Sequence, residues 1–537
     1  MKSTNKVEIY DTTLRDGTQA HGVSLSVADK LLIAETLDSL GVDYIEGGYP
    51  LSNPKDASFF IEVTKRNWKH AKVAAFGMTR RKGISANEDA GMKALVESNA
   101  PVVTIVGKSW DLHVRDVLRV SEPENVDMIA DSVAFVHQAG REVIYDAEHF
   151  FDGWYANRDY AIETLRAARD AGATCLVLCD TNGGRTMEQI AEVCDDVARE
   201  MGSDVKIGIH CHNDCGLAVA NSLTGVCHGV THVQGTINGI GERCGNTDLT
   251  AIIPNLVLKY GRDVLTPTTL PKLTEASRYV YEVANLNFQD NQPFVGASAF
   301  AHKGGMHVHA VQRNSATYEH IDPAKVGNIR RILVSELSGM SNIAATAPSM
   351  FKIADDKQAQ RKVLNELMRL ENLGYQFEAA EASFELLIRR TLAGDWYRKL
   401  WDLDHYRCMI LRRNGRQANT EATVKIVLDG KVMHTVAEGD GPVDSLRQAL
   451  SAALREQYPC VDDLHLADYK VRVINTSADT AATVRVVIDW NDSRTGSYFG
   501  SVGVSSNIID ASWLALLDAF EYKVLNSVGP DGHGKNK

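Results

Sequence analysis

Several absences narrow the reading of this chain. No apolar run approaches the roughly 20 residues that cross a bilayer. The opening Met1-Lys2-Ser3-Thr4-Asn5-Lys6 leads into strand-like residues without the apolar stretch of a secretory signal. A cytoplasmic protein with no membrane partner is therefore expected. There is no excess of positive charge: 57 Lys and Arg stand against 69 Asp and Glu, a formal net charge of -12. Such a balance repels a phosphate backbone and argues against nucleic acid as a partner. The nine cysteines contain no C-x-x-C pair, so neither a disulfide framework nor a zinc knuckle is indicated. The early glycine-rich turn of a dinucleotide-binding sheet is missing too. Gly107-Lys108-Ser109 ends like a phosphate-binding loop, but Val102 stands where its first glycine belongs. Gly239-x-Gly241-x-x-x-Gly245 has the wrong spacing for a dinucleotide fingerprint. Cys244 lies in that glycine loop with no paired base, so it reads as loop packing rather than a nucleophile.

What is present is a chain of 537 residues, too long for one core, with two or three domains expected. Strand-like segments fall at residues 7–10, 44–46, 72–76, 102–106, 142–146, 174–179, 206–212 and 232–236, each followed by a helix-compatible stretch. The first helix reads Val27 to Leu40, with Ser26 and Asp29 as a capping-box pair and Gly41 as its stop. Eight strand–helix units in about 260 residues fit a closed (β/α)8 barrel. That fold demands that chemically active residues gather at the C-terminal strand ends. Arg15, Asp16, Glu46, Glu148, Asp180, Thr181, His210, His212, Asn238, Glu242 and Asn246 all fall there. In Ile207-Gly208-Ile209-His210-Cys211-His212, strand alternation puts both histidines on one face. Two imidazoles projecting together make half of a divalent metal site.

The expected domains are the barrel at 1–262, a mostly helical linker and lid region at 263–410, and an α+β domain at 411–537. The middle region shows helical periodicity over 351–373 and 378–393, and holds the polar cluster Phe300-Ala301-His302-Lys303-Gly304-Gly305-Met306-His307-Val308-His309. A polar linker near 412–420 precedes strands around the hairpin signal Asp429-Gly430. Helices follow near 443–454 and 508–523, with strands between them at 464–474, 483–490 and 497–504. The result is two similar β-rich modules, with glycine turns expected at 439–441 and 500–503 and a disordered tail over 529–537.

Three ordered segments carry a resemblance: residues 11–17 (DTTLRDG), 210–214 (HCHND) and 235–246 (GTINGIGERCGN). They resemble the signatures of the 2-isopropylmalate, homocitrate and citramalate synthases. Within that family, the forms around Thr18-Gln19, Gly47-Gly48-Tyr49-Pro50, Asp146-Ala147-Glu148-His149 and His302-Lys303-Gly304-Gly305 look most like the citramalate branch. The resemblance implies an acyltransferase that joins acetyl-CoA, as co-substrate, to a 2-keto acid. Pyruvate giving (R)-citramalate on a route to isoleucine is the first choice; 2-ketoisovalerate, as in the leucine-forming 2-isopropylmalate synthases, is the second. A metal-dependent lyase is a third reading of the same barrel, and a catalytically inactive amino-acid sensor is a fourth, of a different class.

The same resemblance implies that Asp16, His210 and His212 hold a divalent ion, with Asn246 as candidate fourth ligand. Mixed oxygen and nitrogen donors suit Mg, Mn, Co or Zn. Arg15 would stabilise the oxyanion, and Glu148 would assist proton transfer. Gln19 and Thr181 would contact substrate. His307 would be the general base that enolises acetyl-CoA, with Tyr318 beside it; His302 is the alternative, and His309 stands where some members carry Asp. The tail would be a regulatory domain for a branched-chain amino acid, isoleucine first, in a homodimer whose sites are completed across subunits.

Overall fold

A computed structural model describes residues 5–203, 205–303, 305–332, 356–392, 397–414, 418–474 and 482–528. These form two compact units: residues 1–300 with 321–330, and residues 301–320 with 331–537.

In the first unit, β1 (Glu8–Asp11), β2 (Tyr44–Gly48), β3 (Lys72–Met78), β4 (Val102–Lys108), β5 (Glu142–Glu148), β6 (Cys175–Asp180), β7 (Lys206–Cys211) and β8 (His232–Gly235) close into a barrel in chain order. Every neighbouring pair is parallel, and β1 bonds both β2 and β8, which leaves no open edge. This is the expected (β/α)8 architecture. Covered on both faces, the strands need no alternation: all six residues of β6 are buried. Tyr10, Tyr44, Ala74, Val102, Ile144, Cys175, Val177 and Cys179 fill the barrel axis. Toward the C-terminal strand ends the filling turns polar, with Glu46, Thr104, Asp146, His210 and Gln234 all buried. Strands β3, β4 and β5 run two residues past the ends read from the sequence. The β4–β5 register continues as far as Lys108 opposite Glu148, so both side chains stand on ordered strand ends.

The first helix spans Val27–Leu40 as expected. Ser26 accepts from the Asp29 amide, the Asp29 carboxylate accepts from the Ser26 amide, and Gly41 stops the helix at φ 96°. That φ lies in the left-handed region where glycine carries no Cβ penalty. Ser26→Ala should cost about 1 kcal/mol in urea unfolding by leaving a helix-end donor unsatisfied.

The second unit begins with a two-stranded sheet the sequence did not suggest, β9 (Ala301–His302) beside β10 (Arg331–Ile332). Helices follow at Gly305–Arg313, Lys357–Asn372 and Glu381–Leu392. The second of these starts at an Asp356 cap that accepts from the amides of Gln358 and Ala359, whereas the sequence suggested a start at 351; residues 351–355 lie outside those described. Two three-stranded antiparallel sheets complete the unit. One is β11 (Trp401–Leu411), β12 (Asn419–Leu428) and β13 (Lys431–Gly439), followed by a helix at Pro442–Leu454. The other is β14 (Leu464–Val473), β15 (Val484–Asp492) and β16 (Ser497–Ser505), followed by a helix at Ile508–Val528. In β12, Thr420, Ala422, Val424, Ile426 and Leu428 are buried in strict alternation, and both modules contribute to one core. Asp429 and Gly430, both at positive φ, make the expected hairpin turn.

Two expectations need correction here. Strand β11 occupies residues inside the region expected to be mostly helical to 410, because a bulge between Leu403 and His405 and the exposed apolar run Met409-Ile410-Leu411 break the alternation that would reveal it. Gly500 and Gly503 do not form a turn but lie inside β16. A Cβ on Gly500 would stand 1.8 Å from the Ala379 carbonyl oxygen, and one on Gly503 would stand 2.0 Å from that of Ala511. Close packing of backbone on strand is their role. The expected disordered tail, 529–537, lies outside the described residues. Among the described residues no helix is long and apolar enough to cross a membrane.

Candidate active site

The barrel brings Asp16, His210 and His212 together from opposite ends of the first unit's sequence, with one ligating atom of each lying within 4.8 Å of the others. The two imidazoles converge because they are two apart on one strand end. Their Nε2 atoms are 3.3 Å apart, and Asp16 Oδ2 lies 3.8 and 3.9 Å from them. Nitrogens about 2.1 Å from one ion in tetrahedral geometry stand about 3.4 Å apart, so the spacing suits a shared cation. Burial lowers the pKa of both histidines, with neighbouring His210 adding to the effect on His212, which drops to about 4. Both are thus neutral ligands at pH 7. Burial would raise Asp16, but Arg15, the two histidines and the Asn246 amide hold it at about 2.

Asn246 completes the cluster. Its Nδ2 donates to Asp16 Oδ1 at 2.9 Å, while its Oδ1 is buried without a partner. An orphaned buried oxygen beside two converging nitrogen lone pairs and a carboxylate is costly unless a cation is bound. The donor set therefore fits the divalent ion expected from the sequence. The loop carrying Asn246 depends on glycine. Gly245 sits at φ 89°, and a Cβ there would lie 2.0 Å from the Gly239 carbonyl oxygen. A Cβ on Gly241 would lie 2.1 Å from Asn246 Nδ2.

Arg15 is held beside the cluster rather than at the surface. Its Nε donates to Glu46 Oε2 at 2.5 Å, its Nη1 to Asp16 Oδ2 at 3.0 Å, and its guanidinium lies 3.9 Å over the Phe76 ring. Glu46 also accepts from Tyr10 and Thr12, so its carboxylate is fully used as an anchor. Burial works against the charge on Arg15, but Glu46 and Asp16 more than offset it and raise its pKa further. Arg15 Nη2 makes no hydrogen bond to another described residue, which leaves it as a donor for a bound oxyanion.

Glu148 forms an ion pair with Lys108 across the β4–β5 ends. Thr181 Oγ1 accepts from the His149 amide at 2.8 Å, so its own hydroxyl proton is left to donate elsewhere. Gln19 is exposed at the end of a short 3-10 turn, Gly17–Gln19. Other rim residues prove structural. Asp180 is buried and accepts from the Gly184 and Arg185 amides. Asn238 binds Ser277, and Glu242 pairs with Arg243.

In the second unit, His307 lies exposed on the Gly305–Arg313 helix with its ring stacked on Tyr318, 4.1 Å between centroids. His302 is buried and contacts Glu319 Oε1 at 3.1 Å, while His309 is exposed. Of the three, His302 is committed to a carboxylate.

Several residues around the site were missed in the sequence. Lys108 was read only as a failed phosphate loop, although its place at the end of β4 was the signal. Asp146 and Gln234, each two residues before a rim position, share the inward face of their strands. His113 and His149 meet at 4.1 Å between ring centroids with their planes tilted by 47°, and Trp110 stacks on His113; nothing in their spacing announced that contact.

Comparison with known proteins adds to this geometry. Residues 6–280 match the HMGL-like family, 294–374 the homocitrate synthase post-HMGL domain-like family, and 378–524 the LeuA allosteric (dimerisation) domain. An (R)-citramalate synthase from Geobacter sulfurreducens is 49% identical, the alignment covering 98% of this chain and 99% of that protein. One from Aquifex aeolicus is also 49% identical, over 97% of this chain and 98% of its own. The chain belongs to the citramalate synthase family. A probable 2-isopropylmalate synthase from Methanopyrus kandleri is 32% identical over 95% of this chain and 96% of its own, so that branch stands further off. Strand β11 falls inside the match at 378–524, in agreement with its pairing to β12.

Proposed function

We propose that this chain is an acyltransferase that joins acetyl-CoA and pyruvate to give (R)-citramalate and free CoA. The observation that carries the reading is the Asp16–His210–His212 cluster with Arg15 anchored beside it, at the strand ends of a citramalate synthase family barrel. A divalent ion held by Asp16, His210, His212 and the orphaned Asn246 oxygen would supply Lewis acidity to the keto group of pyruvate. Its identity among Mg, Mn, Co and Zn is left open by such mixed donors.

The residues of the chain supply the rest. His307 takes a methyl proton from acetyl-CoA, the role an exposed imidazole can fill as general base. The resulting enolate carbon attacks the keto carbon of pyruvate, and the former keto oxygen takes up the electron pair. Arg15, aimed by Glu46 and Phe76, donates to that oxyanion as it develops. Thr181 donates its hydroxyl proton to the pyruvate carboxylate. Glu148, kept on the strand end by Lys108, assists the proton transfers: one proton, equal to that taken by His307, converts the oxyanion to the hydroxyl of citramalate, and water delivered to the thioester hydrolyses it to the carboxylate and releases CoA as the thiol. Gln19 contacts the same substrate from the rim.

Acceptor choice is set by a few pocket contacts, each methylene being worth about 1–3 kcal/mol. Release of free CoA with a panel of 2-keto acids should be fastest with pyruvate, by at least about 10-fold in kcat/KM over 2-ketoisovalerate. Preference for 2-ketoisovalerate would move the chain to the isopropylmalate reaction, and no CoA release with any acid would leave only the sensor reading.

The match to an allosteric dimerisation domain supports a regulated dimer. We assign isoleucine as its effector, because the product lies on a route to that amino acid, and a homodimer as the working form. Isoleucine at millimolar levels should inhibit the enzyme and raise its melting temperature more than leucine does. If neither amino acid changes either quantity, the domain serves association alone. The nine cysteines are all free, in keeping with a reducing cytoplasm.

A further inference from the structure

Between the two histidines of the cluster there is an asymmetry. His212 Nδ1 is buried without a partner among the described residues, whereas His210 Nδ1 faces Gln234 Oε1 at 2.9 Å. The contact is dictated by register. β7 and β8 are parallel neighbours in which His210 pairs with Gln234, so both side chains enter the barrel side by side. The other end of the Gln234 amide is also held, its Nε2 donating to Asp146 Oδ1 at 2.9 Å. Gln234 and Asp146 come from β8 and β5, 88 residues apart, and both are buried.

We propose that Gln234 is a positioning residue for the metal cluster: by accepting the Nδ1 proton of His210 it keeps the Nε2 lone pair directed at Asp16 and His212. An imidazole offers one lone pair when neutral, and the hydrogen bond made by one nitrogen decides which tautomer is present. The amide carbonyl at Nδ1 selects the Nδ1–H form and leaves Nε2 unprotonated. The reversed amide would present its N–H groups to Nδ1 and put the proton on Nε2, where the ion must bind. Asp146 holds the amide in the first orientation by taking its N–H on Oδ1. With His212 lacking such a partner, the cluster's alignment rests on the His210 side. Outer partners of ligating histidines typically carry about 10–100-fold in metal affinity.

This inference rests on the metal reading of the cluster, and one titration separates the two. Chelator-stripped protein is titrated with Mn(II), and free ion is followed by electron paramagnetic resonance. The parent should bind one equivalent; absence of binding would overturn both the metal site and the positioning role. Gln234→Met keeps the volume and removes the acceptor, and should bind Mn(II) about 10–100-fold more weakly. Gln234→Glu restores an acceptor oxygen and should return affinity to within about threefold of the parent. Parent-like binding by Gln234→Met, or equal weakness in both variants, would overturn the positioning role while leaving the metal site intact. A second measurement does not depend on the variants folding. In metal-free parent labelled with 15N-histidine, His210 should carry its proton on Nδ1, against the usual preference of a free imidazole; a proton on Nε2 would overturn the inference.

Discussion

His210→Ala is expected to lower kcat by about 10³-fold, since Lewis-acid polarisation is worth several kcal/mol and 1.36 kcal/mol is a factor of ten. The same substitution should abolish stoichiometric Mn(II) binding. The reason lies in the geometry: with the imidazole gone, Asp16 and His212 retain only one of the three contacts among the ligating atoms. Stripping the parent with a chelator should give the same loss, reversed by adding the ion back. Full activity of metal-free protein would remove the Lewis acid from the reaction. Because Asp16 is held at about 2 and His212 at about 4, the cluster needs to shed no proton near neutrality. Mn(II) affinity should therefore hold at neutrality and fall in acid, where His210, lowered by burial, and His212, at about 4, take up protons.

His307→Ala is expected to reduce kcat by about 10²–10⁴-fold, the usual contribution of a general base, while leaving Mn(II) affinity unchanged. That split distinguishes it from His210→Ala, which loses both. Exposed on its helix and stacked on Tyr318, His307 contacts no carboxylate among the described residues, unlike His302 against Glu319. Tyr318→Phe should preserve the stacking and most of the rate, whereas His302→Ala should act mainly on stability through the loss of a buried partner. Exchange of methyl protons in acetyl-CoA, followed in deuterated buffer with a non-reacting acceptor analogue, should vanish in His307→Ala alone. If exchange persists there and disappears in His302→Ala, the base is His302.

Mixing the two inactive chains then decides where the base acts. Random mixing places half of the molecules in mixed dimers, each with one intact site if the base serves the neighbouring chain, and so restores roughly a quarter of the parent activity. Mixed dimers that form yet stay inactive would place the base within its own chain.

The barrel was legible because its eight strands are buried runs punctuated at regular intervals, a pattern that survives without knowledge of any contact. The first helix was legible down to its caps, because Ser26, Asp29 and Gly41 act within one turn of themselves. Local rules failed where the partner was distant. Strand β11 mixes exposed charged and exposed apolar residues without alternation past its bulge and gains its identity only by pairing with β12. Gly500 and Gly503 look like turn residues until the backbones of Ala379 and Ala511 are found pressed against them.

The candidate site divides in the same way. His210-x-His212 announces a shared face through the period of a strand, and Arg15-Asp16 follows a strand end, so the sequence alone determined the candidate ligands and the rim they occupy. It also determined the family, since the ordered motifs are read residue by residue. Only the tertiary structure decided which neighbours give those residues their chemistry. Glu46 and Phe76 aim Arg15, Lys108 holds Glu148, Gln234 meets His210, and the oxygen of Asn246 is left without a partner. Each of those contacts joins different strands or loops, across 24 to 40 residues where a hydrogen bond records the separation. Closing the barrel brings them within hydrogen-bond distance, and no periodicity along the chain encodes which strand end faces which.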